Sequence, residues 1–321
     1  MNHKFIVTGG AGFIGSNLVK ALNRRGCTDL VVVDHLTDDL KRKNLAELHF
    51  REYLDKSEFR TRLRSRSVEP VDCVFHLGAC SSTTETNEAY LHDNNYLYSR
   101  ELCEWSYANG ARFVYASSAA TYGDGSHGYS DDEQRINDLQ PLNLYGKSKQ
   151  AFDVWALTTG ALRQVAGLKY FNVYGPGEDH KGEMRSLVNK AYDQVMRDGE
   201  ITLFRSHKPE YRDGEQTRDF IYVDDAVKQT LFFFDHPNVS GLYNCGTGVA
   251  RSWLDLASAL FAAMGREPRI RFVDIPESIR ERYQYHTQSD LSKLRSAGYS
   301  ESFLSVEEGV RRYVVDYLQV R

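Results

Sequence analysis

The stretch KFIVTGGAGFIGSNLVKAL, residues 4–22, decides the fold. A short β-forming run breaks into glycines and is followed by apolar residues at helical spacing. Gly10-x-Gly12-x-x-Gly15 satisfies a dinucleotide-binding fingerprint, and Gly9-x-x-Gly12-x-x-Gly15 satisfies its wider-spaced form. Glycines at these places permit a tight turn and let the backbone approach a pyrophosphate lying on the helix N-terminus. The string alone is weak evidence, because a glycine-rich turn produces it too. Context strengthens it: LVVVDH (30–35) ends a second strand at Asp34. A carboxylate there can accept from the ribose hydroxyls of an adenosine.

Working outward, KFIVT (4–8), DLVVVD (29–34), VDCVFHLGA (71–79), RFVYASS (112–118) and QVAGLKYFNV (164–173) read as strands. GSNLVKALNRRG (15–26) and NNYLYSRELCEWSYANG (94–110) carry helical spacing between them. Apolar strands alternating with helices predict an α/β fold with a Rossmann-type, doubly wound parallel sheet. After Pro176 the pattern turns polar and irregular, which predicts a smaller C-terminal substrate-binding lobe. The expected division is residues 1–175 for dinucleotide binding and 176–321 mainly for substrate. RDFIYVDDAV (218–227) and GLYNCGTG (241–248) are expected to rejoin the sheet, so elements near 219–250 return to the first unit.

The 321 residues carry a formal net charge of −4, with 41% hydrophobic and 26% charged residues and no basic block. That composition describes an ordinary globular protein and argues against nucleic acid as a partner. No run nears the roughly 20 apolar residues of a membrane-spanning helix, and MNHKFIVTGG lacks the features of a signal peptide. A cytoplasmic location is expected. Five scattered cysteines without a C-x-x-C pair suggest reduced thiols, and no metal site is indicated.

PLNLYGKSKQAFD (141–153) places Tyr145 and Lys149 four residues apart, on one face of a helix. FVYASSAATYG (113–123) ends a strand at Ser117 and Ser118, and open α/β sheets bind ligands beyond the carboxyl ends of their strands. Serine, tyrosine and lysine together suit hydride transfer: Tyr145 takes a hydroxyl proton, Ser118 bonds the forming carbonyl, and Lys149 holds the ribose and lowers the phenol's pKa. Bringing a phenol from about 10 to about 7 takes roughly 4 kcal/mol. One cation about 4 Å away supplies that at an effective dielectric of about 20. An incidental surface pair is the alternative for an isolated Tyr-x-x-x-Lys.

With these motifs the chain resembles, essentially end to end, the extended short-chain dehydrogenase/reductases that act as nucleotide-sugar epimerases and dehydratases. Ala119 and Ala120 stand where a dehydratase of that family carries an acid and a base, so elimination lacks its proton carriers. HLGACSSTTE (76–85), DNNYLYS (93–99), YFNVYGPGEDHKG (170–182) and RYQYHTQSDLSKLRSAGY (282–299) resemble the ADP-L-glycero-D-manno-heptose 6-epimerases. The resemblance implies C6 epimerisation of an ADP-heptose in lipopolysaccharide core synthesis, with bound NADP, in a homo-oligomer, a pentamer being expected from the family. It also implies that Lys181 is a second proton carrier beside Tyr145. On the residues alone, a solvated loop lysine beside His180 is the favoured reading of Lys181, and the subfamily resemblance reverses that preference.

Carried over by motif, Gly9, Gly12, Phe13, Ile14 and Gly15 meet the pyrophosphate. Asp34, His35 and Lys41 meet the adenosine ribose. Lys56, the turn Leu77, Gly78, Ala79 and Ser81, and Asn94 lie near the cofactor, with Val173 beside the nicotinamide and Tyr145, Lys149 and Lys181 in reach. Asn172, Phe204, Arg218 and Tyr283 face the substrate. Arg218 suits a diphosphate, the alternative being an ion pair with Asp219 or Asp225. His35, Glu183 and the longer stretch 206–217 depart from the subfamily pattern. Asp34 favours NAD whereas Lys41, Arg42 and Lys43 favour NADP, so the residues leave both open. A UDP-sugar 4-epimerase shares the same motifs, and a non-catalytic NADP-binding relative is the alternative of another class.

Overall fold

A computed structural model describes residues 3–36, 38–281 and 283–321; Arg282, first residue of the C-terminal motif, lies outside them. The strands are β1 Phe5–Thr8, β2 Leu30–Asp34, β3 Glu52–Asp55, β4 Cys73–His76, β5 Arg112–Ser118, β6 Ala166–Tyr170, β7 Asn172–Tyr174, β8 Ile201–Phe204, β9 Thr217–Tyr222, β10 Gly241–Cys245, β11 Ala250–Ser252 and β12 Ile270–Val273. Seven of them form one sheet in the order β10-β6-β5-β4-β1-β2-β3. Every pairing in it is parallel, with β1 between β2 (Phe5↔Leu30) and β4 (Phe5↔Cys73).

Continuous apolar strands require cover on both faces, and helices provide it. Phe13–Arg24 and Val223–Asp235 cover one face with Leu18, Val19, Leu22, Val227 and Leu231. Lys56–Arg64, Tyr98–Ala108 and Leu144–Thr158 cover the other with Phe59, Leu63, Leu102, Phe152 and Ala156. This is the doubly wound arrangement that the sequence pattern predicts. Strand order reverses between β1 and β4, which opens a crevice at the carboxyl ends of the strands.

A second core, including Val188, Val195, Leu203, Leu260, Phe261 and Val310, gathers the helices Leu187–Asp198, Trp253–Ala263 and Val306–Tyr313 beside the small sheets. Those sheets are β11-β9-β7 and β12-β8. Here one expectation fails. β10 does rejoin the large sheet beside β6, but β9 does not; it pairs with β7 (Asn172↔Phe220) and antiparallel with β11. The place beside β6 belongs to β10, and the Phe171 N–H bonds to the Cys245 carbonyl at 2.9 Å as the chain passes from β6 into β7. β9 follows β7 away from the sheet. No helix among the described residues is long and apolar enough to cross a membrane.

The turn after β1 is packed to its limit. Gly9 has φ +68°, and a Cβ on it would lie 2.7 Å from the Gly78 nitrogen. A Cβ on Gly15 would overlap the Gly9 carbonyl oxygen. Gly15→Ala is therefore expected to lower the urea midpoint, by about 1–3 kcal/mol of stability for overpacking. It is also expected to purify without bound nucleotide; an unchanged midpoint and nucleotide content would show that the turn yields.

Candidate active site

The helix Phe13–Arg24 begins at Gly12, an extended N-cap that offers no side-chain oxygen. Its first N–H groups, which lack intrahelical partners, point past the turn at the end of β1. An uncapped helix N-terminus on a glycine turn fits a dinucleotide pyrophosphate, since a Cβ would fill the approach. Asp34 closes β2 as a buried carboxylate, accepting from the Ala11 N–H at 2.9 Å and the His35 N–H at 2.7 Å. Lys41 donates to Asp34 Oδ1 at 2.5 Å and to the His35 carbonyl at 2.9 Å. His35 Nδ1 lies 2.9 Å from Asp55. A pocket of about 190 Å³ follows, lined by Gly9, Asp34, His35, Lys41, Lys56, Gly78, Ala79 and Asn94. Lys56 donates to Asn94 Oδ1 at 2.9 Å. The Leu77 and Gly78 N–H groups bond to Thr8, which holds the loop after β4 over the glycine turn.

The larger cleft, about 650 Å³, starts at Phe13 and Ile14 and runs into the second lobe. Ser81, Ser118, Tyr145, Asn172, Val173, Lys181, Glu183, Phe204 and Tyr283 all line it. Ser118 is the last residue of β5, and its Oγ accepts from the Ala120 N–H at 3.1 Å, capping the short turn Ala119–Tyr122. The tyrosine helix starts beside that turn because Asn143 caps it, accepting from the Gly146 N–H at 2.8 Å. Gly146 has no room for a side chain against the Ala120 carbonyl. Strand-end serine and helix-start tyrosine thus share one wall.

Lys149 corrects the electrostatic expectation. Its ammonium does not sit on the phenol; it turns under the helix to the Ala116 carbonyl, at 2.9 Å. The Tyr145 phenol is held above its ordinary range by burial, with the bond to Ser118 acting the other way and the Asp153 charge adding to the rise. Burial pushes Lys149 down to about 8, opposed by the charges of Asp153 and Cys80. The phenol is therefore protonated in this state, because a cation engaged with a backbone carbonyl and a desolvated phenol both favour the neutral form.

Lys181 lines the same cleft, its Nζ 5.2 Å from the centre of the Phe13 ring, with burial lowering its pKa and Glu178 raising it. The loop that carries it is bolted on several sides. Buried Glu178 accepts from the Ser186 hydroxyl at 2.6 Å, and Asp179 accepts from Asn189 and Tyr317, both at 2.8 Å. From the dinucleotide side, Asn17 donates to the Pro176 carbonyl at 2.8 Å and Asn44 to the Gly177 carbonyl at 3.0 Å. Sequence reasoning misses both asparagines: Asn17 lies inside a helical pattern and Asn44 ends the basic run, with no motif to mark either.

Arg218 is buried between Trp253 and Tyr283, its guanidinium 5.5 Å and 5.3 Å from their ring centres. It donates to the Thr217 carbonyl at 2.8 Å and to the Gln284 carbonyl. Neither acidic neighbour takes it: Asp219 is bonded by Thr247, Gly248 and Ser289, and Asp225 by Lys228 and Leu304. Among the described residues no carboxylate lies in ion-pair range of Arg218. Trp253, missed in the sequence, also donates to the Tyr283 hydroxyl at 3.0 Å, and Phe204 packs edge-on to Tyr283. The stretch 206–217 does not line the cleft; its His207 and Tyr211 lie against Tyr285, and the wall there is Phe204, Trp253 and Tyr283.

The fold and cleft define a Rossmann-type protein in which a dinucleotide cradle opens into a second, cation-bearing compartment. The chain belongs to the NAD dependent epimerase/dehydratase family, whose model matches residues 5–246. It is 50% identical, over 98% of each chain, to the ADP-L-glycero-D-manno-heptose-6-epimerase of Nitratidesulfovibrio vulgaris strain DP4. The protein of that name from Alkalilimnicola ehrlichii is 48% identical over 96% of each chain. Among solved structures, Helicobacter pylori ADP-L-glycero-D-manno-heptose-6-epimerase superposes with a TM-score of 0.83 at 29% identity, covering 98% of this chain and 95% of that one. Thermus thermophilus UDP-glucose 4-epimerase in complex with NAD gives 0.79 at 26%, covering 98% and 99%. The chain is thus an enzyme of a nicotinamide-dependent epimerase family.

Lys149 allows a test that needs no substrate. Its value of about 8 lies below the ordinary 10.5. Between those values the unfolded chain binds more protons, so wild-type stability gains up to about 3 kcal/mol as pH rises through that window. Lys149→Met lacks the gain. Its thermal midpoint should exceed that of wild type at pH 7, and the difference should shrink by pH 10; a constant difference would contradict the buried-ammonium assignment.

Proposed function

We propose that the protein interconverts ADP-D-glycero-D-manno-heptose and ADP-L-glycero-D-manno-heptose by transient oxidation and reduction at C6, with NADP held in the dinucleotide cradle. The observation that carries the reading is that Tyr145, Ser118 and Lys181 line one cleft that begins at Phe13 and Ile14, beside the glycine turn. The similarity at 50% identity to proteins named for that reaction supports the sugar.

Gly9, Gly12 and the N-terminus of the helix Phe13–Arg24 hold the pyrophosphate, Asp34 the adenosine ribose, and Lys149 the nicotinamide ribose. Lys41 and Lys56 form the cationic side of the adenosine pocket and favour a 2′-phosphate. Bound there, the nicotinamide supplies a reversible hydride acceptor and donor. The chain's own residues manage the protons and the placement. Tyr145 exchanges a proton with the C6 oxygen on one wall, and Ser118 donates to that oxygen as it becomes a carbonyl. After the planar ketone turns, Lys181 exchanges the proton from the other wall. Arg218, desolvated and without a carboxylate, binds the diphosphate, and Phe204, Trp253 and Tyr283 shape the base-side wall. The first turn after β5 holds alanines at 119 and 120, so water is not eliminated from the ketone stage. A cytoplasmic homo-oligomer serving lipopolysaccharide core synthesis belongs to the same reading, and light scattering measures the assembly.

Purified protein incubated with ADP-D-glycero-D-manno-heptose and no added nucleotide should form the L-glycero epimer, read by NMR. Absence of product after supply of NADP and then NAD would overturn the sugar assignment. Denatured wild type should release NADP rather than NAD. Lys181→Ala is expected to keep its nucleotide and lose epimerisation by about 100-fold or more, the usual worth of a proton carrier. Arg218→Met should raise KM by about 10- to 100-fold, the loss of charge-assisted bonds, with a smaller change in kcat.

A further inference from the structure

Beneath Ser118 and Lys149 lies an ion pair to which the proposed chemistry gives no task. Lys169 on β6 and Asp153 on the helix Leu144–Thr158 meet at 2.9 Å, with side chains 1% and 0% exposed. Such pairs are costly, because both charges leave water and apolar side chains of the same volume are often as stable or more so.

Their partners show what they join. Asp153 accepts from the Tyr115 hydroxyl at 2.9 Å and the Ser117 hydroxyl at 2.7 Å, both on β5. Lys169 also donates to Thr121 Oγ1 at 2.6 Å and sits 5.1 Å from the centre of the Tyr122 ring. Thr121 donates to the Ser118 carbonyl at 2.8 Å. A continuous set of bonds therefore runs from the helix of Tyr145 and Lys149, through Asp153, Lys169 and Thr121, to the backbone of Ser118.

We propose that Asp153 and Lys169 are positioning residues that lock the Ser118 turn to the tyrosine helix, so that serine hydroxyl, phenol and Lys149 ammonium keep one mutual geometry. The proposal rests on the reading of Ser118, Tyr145 and Lys149 as the chemical groups. Ser118 Oγ is itself the cap of the turn 119–122, so turn and hydroxyl move together. Asp153 has a second effect, one helical turn from Lys149. The groups facing Lys149 are Asp153 from its own helix, Cys80 from the loop after β4, and His76 at the end of β4. Burial keeps His76 neutral, which leaves Asp153 as the carboxylate that sustains the ammonium.

The test is the apolar double variant Asp153→Leu/Lys169→Met, with Lys169→Arg as the conservative control. The double variant strands the Tyr115 and Ser117 hydroxyls and so should melt somewhat below wild type; while folded it should lose about 100-fold in kcat, as a displacement near 1 Å does, with KM little changed. Lys169→Arg should keep most of the activity. A stable double variant with wild-type kcat would overturn the proposal. Should it not fold, Asp153→Asn answers instead. The Lys149 amine, followed by the NMR signal of its Cε in lysine-labelled protein, should titrate at lower pH than in wild type. An unchanged midpoint together with unchanged kcat would overturn the proposal. The titration and melts need no substrate, so a wild type inactive on ADP-heptose would sink the sugar assignment alone.

Discussion

Everything around the cleft depends on one close approach, between the turn after β1 and the loop after β4. Gly9 and Gly78 face each other with no space for a Cβ on either, and Gly15 brings the first helix down onto the Gly9 carbonyl. That contact sets where the helix N-terminus opens, and with it where Phe13 and Ile14 enter the second compartment. It also sets the position of Asn17, which holds the Pro176 carbonyl, and so the start of the loop carrying Lys181. A side chain in the turn would shift the helix N-terminus and the Lys181 loop together. The steric rule that makes glycine the residue of tight turns therefore acts here on the register between two compartments.

Charge is the second constraint. The chain carries a net −4, yet Lys181 lines the cleft and Arg218 lies buried behind its Trp253 and Tyr283 wall, neither with a carboxylate in ion-pair range among the described residues. Lys149, just behind, spends its ammonium on a backbone carbonyl. Desolvated cations without counter-ions are expensive, and a nucleotide with phosphates offsets that cost on binding. The phenol is neutral on related grounds: the Lys149 ammonium is engaged by a backbone carbonyl, and burial outweighs the bond from Ser118 at Tyr145.

Much of the sheet is legible in the sequence, because apolar strands with period-3.6 segments between them admit few alternatives. The glycine spacing and Asp34 lie within one strand–turn–helix–strand unit, so local pattern suffices to relate them. β9 escapes such a reading since strand propensity says nothing about which strand it will pair with, and its partners are β7 and β11. The position of Lys149 escapes it for a similar reason. Four-residue spacing places two side chains on one face but does not say that a carbonyl on β5 competes for the ammonium. Asp153 and Lys169, on different elements, leave no local signature, and neither do Asn17 and Asn44. Such bonds become visible only once the chain is folded.

The account turns on hydride leaving and returning to one carbon without passing through solvent. The most direct measurement is turnover of ADP-D-glycero-D-manno-heptose carrying deuterium at C6, in ordinary water, with the product read by NMR and mass spectrometry. The account predicts that the L-glycero product keeps its deuterium at C6. Loss of the label to solvent would contradict it and point instead to inversion by removal and return of a proton.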